Sequence, residues 1–458
     1  MVDRHQRCHR RDHTRPPLAI TLSRTRRTDD ANDLKARQPV QRTPHRTWLR
    51  RVVNSRTVES PCYTLVVMET TREQIAPPIT TESSVTLTGR RRPTVPRGER
   101  PAGLYDLSLS ELETRMESLQ QPRYRARQLF GWAYRSLVAD YAAMSNLPSD
   151  LRQTLAESLP LTTLAGVREV VADDGDTIKT LYRTGDGELI ETVLMLYPGR
   201  ATVCVSCQVG CAVGCAFCAT GLGGLSRNLS TGEMVAQIVD AARLAADRQR
   251  ALTNVVMMGM GEPLQNYAAT MKMVSIVHDP LGMNFGARRI TISTSGVVPR
   301  IDALADEPYQ VNLAVSLHAP NDELRGRLVP LNQRYPIATL LDACRRYIAT
   351  TRRRVSFEYA LMRGINDADE IARELADLLR GTLCHVNLIP LNPVDVLPYE
   401  RPDAAGIERF AAIVRQAGIP TTVRYSRGVE IAAACGQLRA RGEDDAAAAV
   451  TGAELAAR

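Results

Sequence analysis

Cys211, Cys215 and Cys218 stand in a C-x3-C-x2-C run, Gln208-Val-Gly-Cys-Ala-Val-Gly-Cys-Ala-Phe-Cys218. Three thiolates this close on one loop can ligate three irons of a [4Fe–4S] cube. No fourth cysteine completes the set, so one iron keeps an open position. S-adenosylmethionine (SAM) is the expected occupant. Gly210 and Gly214 let the backbone fold around a cube, and Phe217 can shield it from water. Cys204-x2-Cys207 followed by Cys215-x2-Cys218 also resembles a zinc ribbon. Zinc leaves Cys211 without a purpose, so the open cluster is preferred and a non-catalytic zinc-ribbon RNA-binding protein is the alternative.

Further polar motifs follow apolar runs. Gly259-Met-Gly261-Glu262-Pro comes after Asn254-Val-Val-Met-Met, where small glycines let a ligand approach the backbone and Glu262 can accept from an amino group. As a dinucleotide fingerprint it fails, since no third glycine or ribose-binding acid follows. Thr291-Ile-Ser293-Thr-Ser-Gly, Ser316-Leu317-His318-Ala-Pro and Asn387-Leu-Ile-Pro-Leu-Asn392-Pro end three other apolar runs in the same way. A lone His318 reads as a satisfied core residue. Four polar strand ends in register read as a site. Cys204, seven residues before the triplet, and Cys435, near the chain's end, carry no role by themselves, because buried cysteine is usually inert. The same holds for Cys8, Cys62, Cys344 and Cys384.

The elements that must position these motifs alternate from Thr202 onward. Strands are expected over 202–206, 253–258, 289–294, 311–317, 354–361 and 385–390, with helices over 231–248, 264–279, 337–350 and 366–379. Ser230-x-x-Glu233 is a capping box opening the first helix. Strand–helix repetition predicts a parallel sheet with right-handed crossovers, here an open, partial (βα)6 TIM-like barrel with its site at the C-terminal strand ends. The core is expected over 201–440. Before it, residues 166–200 read as a short antiparallel β extension, with Asp-Gly turns at 174–175 and 186–187. Residues 103–165 read as a small helical accessory domain. In Tyr124–Tyr134, Leu129, Phe130, Ala133 and Tyr134 share one face, while Arg123, Arg125, Arg127 and Arg135 offer either an RNA-binding face or a merely solvated one.

The +8 net charge is unevenly placed. Residues 1–67 hold 15 Lys+Arg against 6 Asp+Glu, a balance of +9, and the remaining residues hold 43 against 44, a balance of −1. RNA binding must therefore come from local basic patches. The 1–67 leader shows no periodicity, and reads as a basic arm or as translated upstream sequence ahead of a start at Met68; the second is favoured, since 55 arginines against three lysines fit G+C-rich coding. Residues 68–102 are expected to be a flexible linker and 441–458 a frayed tail. No apolar run approaches the ~18 residues of a membrane span, so a cytoplasmic protein is expected, with its ten cysteines serving metal and catalysis.

Tyr124-Arg-Ala-Arg-Gln-Leu-Phe, Cys204-Val-Ser-Cys-Gln-Val-Gly-Cys-Ala, Met260-Gly-Glu-Pro-Leu, Ser293-Thr-Ser-Gly-Val-Val-Pro, Leu313-Ala-Val-Ser-Leu-His-Ala-Pro, Asn387-Leu-Ile-Pro-Leu-Asn-Pro and Ala434-Cys-Gly-Gln-Leu together resemble the bacterial RlmN family, within the radical SAM superfamily. The likeness runs from about 104 to 440. It implies methylation of adenosine C2 in 23S rRNA (peptidyl transferase centre) and in tRNA (3′ of the anticodon), with two SAM per turnover. One SAM methylates Cys435. A second, cleaved at the cluster, gives a radical that activates that methyl for addition to C2. Cys204 then releases the product through a transient disulfide with Cys435. The resemblance makes Glu191 the proton acceptor and Gly261, Glu262, Ser293, Ser316, Leu317, His318 and Asn392 the SAM contacts. It implies a flavodoxin (with its reductase) or ferredoxin as electron donor, and a monomer. Cys207 departs from the family's frequent serine and is expected to be passive, although it could compete for disulfide formation. The C8-methylating, antibiotic-resistance relative shares the cluster and both cysteines, and is the alternative within the class.

Overall fold

The structure, a computed structural model, describes residues 102–439 except Asp173. All of these lie in the compact unit Gly89–Arg458. The leader 1–67, nearly all of the 68–102 segment and the 441–458 tail lie outside the described residues.

The described chain begins with three short helices, α1 (Leu109–Ser118), α2 (Tyr124–Tyr134) and α3 (Ser149–Ser158). Ser108 and Glu111 form a capping box that starts α1. α2 buries Ala126, Leu129, Phe130, Ala133 and Tyr134, the apolar face legible in its sequence. Most of its arginines are committed to structure. Arg123 pairs with Glu117 at 2.6 Å and Arg127 with Glu113 at 3.4 Å. Arg135 donates to the carbonyls of Pro280 and Gly282, and Arg125 to Gln128 and Asn146. Asp106 accepts from the Gly232 backbone N–H at 2.6 Å, fastening the helical unit to the N-terminus of a barrel helix.

Strands β1 (Leu164–Val171), β2 (Thr177–Thr184) and β3 (Leu189–Tyr197) form an antiparallel meander. β4 (Arg200–Cys204) pairs antiparallel with β3, Val193 opposite Cys204, so the meander is continuous with the barrel sheet and not a separate layer. β5 (Gln208–Gly210) and β6 (Leu225–Asn228) make a small hairpin around the cysteine loop. The alternation then runs α4 (Thr231–Asp247), β7 (Asn254–Met257), α5 (Tyr267–His278), β8 (Ile290–Thr294), α6 (Val298–Ala305), β9 (Asn312–Ser316), α7 (Asp322–Leu328), α8 (Ile337–Thr351), β10 (Val355–Leu361), α9 (Asp369–Leu379), β11 (Cys384–Pro390), α10 (Ala404–Gln416) and β12 (Thr421–Val423).

β4, β7, β8, β9, β10, β11 and β12 are parallel neighbours in that order, in one ten-stranded sheet that starts at β1. The first six are the six expected strands. β12 was missed because three residues, Thr-Thr-Val, carry too little pattern. Helices α6, α7 and α10 were also missed; α6 and α7 are too short to show a period. The Ser230 capping box opens α4 as expected, with Ser230 Oγ accepting from Glu233 N at 3.1 Å and Glu233 accepting from Ser230 N at 2.8 Å. Parallel strands are covered by crossover helices, so their side chains read as apolar runs, and the polar residues fall where each strand stops.

Candidate active site

The C-terminal strand ends enclose a cavity of about 150 Å³. Cys211, Cys215 and Cys218 line it from the loop after β5, Gly261 and Glu262 after β7, Ser293 at the end of β8, Ser316 and His318 at the end of β9, and Asn392 after β11. Leu317, expected among these, does not line it: its side chain is fully buried, its N–H donates to Glu358 O and its carbonyl accepts from Arg325.

The cysteine loop suits a cluster. Gly210 and Gly214 have φ of 74° and 66°, in the left-handed region, and a Cβ at Gly210 would sit 1.9 Å from the Gly224 carbonyl oxygen. Burial pushes the Cys211 thiol up to about 12 and raises Cys215 as well. Thiolates in so dry a place need a cation to hold their charge. Phe217 covers the cavity edge-on to His318, with ring centroids 4.7 Å apart. The three thiols are not gathered as a chelate for one ion: among the described residues, no group of three or more Cys, His, Asp or Glu could hold a single metal. Cys207 is buried away from the cavity, its backbone bonded to Met260, Leu229 and Asn266. A zinc ribbon would need it beside the triplet.

The remaining lining suits an amino acid and its adenosine. Gly261 has φ of 105°, and a Cβ there would lie 2.6 Å from that of Gln208. Glu262 is buried, with one oxygen accepting from Ser295 N at 2.7 Å and the other from Leu264 N at 3.1 Å. Burial raises its carboxyl, against the pull of those N–H groups. His318, at φ 61°, accepts at Nδ1 from Ala360 N, so Nε2 carries the proton and is a donor. Burial and then Arg325 depress it to about 3, keeping it neutral. Glu262→Gln puts an amide N–H₂ against a backbone N–H. The lost charge-assisted bond is worth about 1.5–3 kcal/mol, so SAM affinity measured by equilibrium dialysis should fall about 10- to 100-fold while cluster iron is retained.

Cys204, at the end of β4, and Cys435 meet across a second, small pocket lined also by Tyr197, Met258 and Arg424. Cys435 lines the first cavity too, so it alone of the two faces both spaces. Burial pushes the Cys204 thiol up to about 12, with Cys435 adding to the effect. Cys435 is also raised by burial, against the pull of the Arg424 guanidinium. Its loop is stitched to the cysteine-triplet loop: Ala219 N donates to Gly436 O at 2.8 Å and Thr220 Oγ1 to Leu438 O at 2.6 Å. Asn392 Nδ2 donates to Cys435 O at 3.0 Å.

Glu191, on β3, lines neither space. Its carboxylate pairs with Lys179 Nζ at 3.0 Å and accepts from Arg439 N at 2.9 Å, and Lys179 also donates to Ala432 O. This pair, with Glu191 buried and Lys179 partly exposed, therefore grips both ends of the Cys435 loop. Lys179→Met removes one partner, and an uncompensated buried charge costs about 3–5 kcal/mol. The thermal midpoint should fall and RNA methylation should fall further than iron content. The double variant Lys179→Met/Glu191→Leu should recover the midpoint without recovering methylation.

Three residues escaped the sequence reading. Arg325 is 1% exposed on α7 and donates to the carbonyls of Ser295, Ser316 and Leu317, setting the ends of β8 and β9. Arg424 stands beside both cysteines. Glu358, 4% exposed on β10, lines the first cavity with Oε2 unbonded, and burial raises its carboxyl against Arg424. A charge inside an apolar strand, Phe357-Glu-Tyr, was the available signal for Glu358. Arg325 had none, since an arginine on a short helix reads as solvated.

Residues 102–160 match the ribosomal RNA large subunit methyltransferase N-terminal domain, and residues 205–376 match the radical SAM superfamily. A probable dual-specificity RNA methyltransferase RlmN from Chloroflexus aurantiacus is 51% identical over 350 residues, covering 74% of this chain and 93% of its own. Its counterpart in Roseiflexus sp. (strain RS-1) is 49% identical over 380 residues, covering 73% and 95%. The chain belongs to the RlmN family. It is a radical SAM RNA methyltransferase, and its cofactors are a [4Fe–4S] cluster and SAM. A radical SAM methyltransferase from Sphaerobacter thermophilus, seen in a crystal structure, is 67% identical with a TM-score of 0.74, over 74% of this chain and all of that one. The zinc-ribbon alternative is thereby overturned. No helix among the described residues is long and apolar enough to cross a membrane.

Proposed function

We propose that this enzyme methylates C2 of adenosine in 23S rRNA and in tRNA, with Cys435 as methyl carrier and Cys204 as resolving thiol. The observation that carries the reading is the placement of Cys435 on the wall shared by the triplet cavity and the Cys204 pocket. Adenine C2 is electron-poor and cannot take a methyl cation by attack, so a protein-bound methyl must be delivered to it in activated form. When bound through Cys211, Cys215 and Cys218, the cluster with SAM supplies that activation as a 5′-deoxyadenosyl radical. Gly261, Glu262, Ser293, Ser316, His318 and Asn392 hold SAM, and Leu317, whose N–H and carbonyl are bonded to Glu358 and Arg325, holds the chain between Ser316 and His318 in place.

Cys435 Sγ takes the methyl group and holds it at the wall between the two spaces. Release of the base then requires Cys204 to attack Cys435 sulfur. The S–S bond forms as the C–S bond breaks, and the electron pair stays on the carbon, which gains a proton. Both thiols are raised by burial, so the Arg424 guanidinium is what favours their thiolates. Glu191 is the proton acceptor, and its contacts with Lys179 and Arg439 must open for it to serve. Cys207, off both spaces, does not compete. The reaction takes place in the cytoplasm on a monomer, with electrons from a flavodoxin or ferredoxin.

Mass spectrometry of nucleosides from both RNA pools, with and without the gene, tests this. 2-Methyladenosine should disappear from 23S rRNA and tRNA together. Loss of the 8-methyl isomer instead would assign the chain to the alternative regiochemistry.

A further inference from the structure

A third cavity, about 800 Å³, opens at the opposite end of the barrel from the SAM-type residues. Thr291, Asn312 and Ser356 line it, each at or next to the first residue of its strand, whereas Ser293 and Ser316 of the first cavity lie at or near the ends of the same strands β8 and β9. Its rim is arginine: Arg288 after α5, and Arg352, Arg353 and Arg354 between α8 and β10. Arg288, Arg352 and Arg354 are exposed, and Arg353 Nε is buried without a partner. Arg288 bonds to Gln310, and Arg353 to Asn312 and Tyr347, all of them neutral side chains, and none of the four forms an ion pair with a carboxylate among the described residues. This contrasts with α2, where Arg123 and Arg127 are already neutralised. Glu358, the one carboxylate among the residues lining this space, lies at its deep end. Val256, Met258 and Arg424 line both this cavity and the Cys204–Cys435 pocket, so the arginine rim leads inward to the reacting sulfurs.

We infer that the RNA enters through this N-terminal mouth, opposite the side that binds SAM, with the phosphates flanking the target nucleotide held by Arg288, Arg352, Arg353 and Arg354. The inference rests on the proposed RNA chemistry and adds the route and the contacts. The cavity volume falls within the ~300–1,000 Å³ of small-ligand sites, enough for an unstacked nucleoside, while the polymer stays outside. Guanidinium groups match phosphate bidentately, and four unpaired ones on one rim would otherwise repel each other. An adenosine inside a helix cannot reach Cys435, so an extruded base with its backbone pinned at the rim is what the depth of the site demands. An acidic electron-donor protein would also suit a basic rim. It is disfavoured because the cysteine triplet lies at the other mouth.

The test uses the full-length holoenzyme and a tRNA transcript. Affinity is read by fluorescence anisotropy over a salt series, and methylation is read with dithionite as reductant. Arg352→Ser/Arg354→Ser should weaken RNA binding about tenfold near 0.15 M salt and lower the salt slope by about 1.4, at ~0.7 per single-strand phosphate contact. KM for RNA should rise with kcat little changed, and iron content and melting temperature should match wild type. Arg352→Lys/Arg354→Lys should restore most of the slope. Unchanged RNA affinity and slope in the Ser variant would overturn the inference. So would a defect that appears only when a flavodoxin replaces dithionite, since the rim would then belong to the donor. Wild-type binding with the expected slope but methylation at another atom would fault the C2 reading and leave this one supported.

Discussion

Cys211→Ala, Cys215→Ala and Cys218→Ala each lose the cluster iron and all 5′-deoxyadenosine production. The three thiols line one cavity; Cys207 is buried off it, Cys204 lies in the next pocket, and Cys435, the one other thiol on its wall, also borders that second pocket as the methyl carrier and lies outside the C-x3-C-x2-C loop. A cube held by two thiolates is not retained through purification. The loss is therefore all-or-none for each variant, not graded by position. Anaerobic iron and sulfide assays, with chromatography of SAM cleavage products, measure it. Full iron together with SAM cleavage in any one variant would falsify the ligand assignment. The fold should survive, because the loop is held by backbone bonds of its own, Cys211 N to Gly224 O and Ala216 N to Leu328 O.

Cys435→Ala and Cys204→Ala should both stop turnover, and should do so at different points. Without Cys435 there is no carrier, so neither methylated base nor protein–RNA adduct forms. Without Cys204 the carrier still loads and still joins the base, but nothing releases it. That protein should be isolated tethered to RNA, and nuclease digestion should leave one modified nucleotide on the peptide containing Cys435. The shared pocket makes Cys204 the thiol within reach, and Cys207 lines neither space. Normal turnover by Cys204→Ala would remove the two-cysteine mechanism. Raising pH should speed release of the wild-type adduct, since burial lifts the Cys204 thiol to about 12 and the thiolate fraction grows with each unit of pH below that value.

Local sequence was enough for most features that depend on spacing or periodicity, although α10, with 13 residues and a buried face, was missed. The triplet's chemistry follows from C-x3-C-x2-C, because its ligands are neighbours on one loop. Six parallel strands followed from apolar runs separated by helical periods, and α4 was placed by its capping box. The residues ending each run, Glu262, Ser293, Ser316 and Asn392, could be named because parallel strands in register place their ends together. Long-range juxtaposition was not legible. Cys435 is 231 positions from Cys204, and nothing local to either reveals that both border one pocket. Glu191 could be named only by resemblance, and its grip on the Cys435 loop through Lys179 and Arg439 joins segments some 250 residues apart.

Charge was the hardest property to read, because its meaning depends on partners that folding selects. Arg123, Arg127 and Arg352–Arg354 look alike as basic runs. Folding neutralises the first two with Glu117 and Glu113, and leaves the last three on an open mouth without a carboxylate partner among the described residues. Arg325 looks solvated in a string of residues and is buried among three carbonyls. Spacing along the chain decides what a loop can ligate, while the pairing or exposure of a charge is decided by whichever distant groups the packed sheet and helices bring beside it.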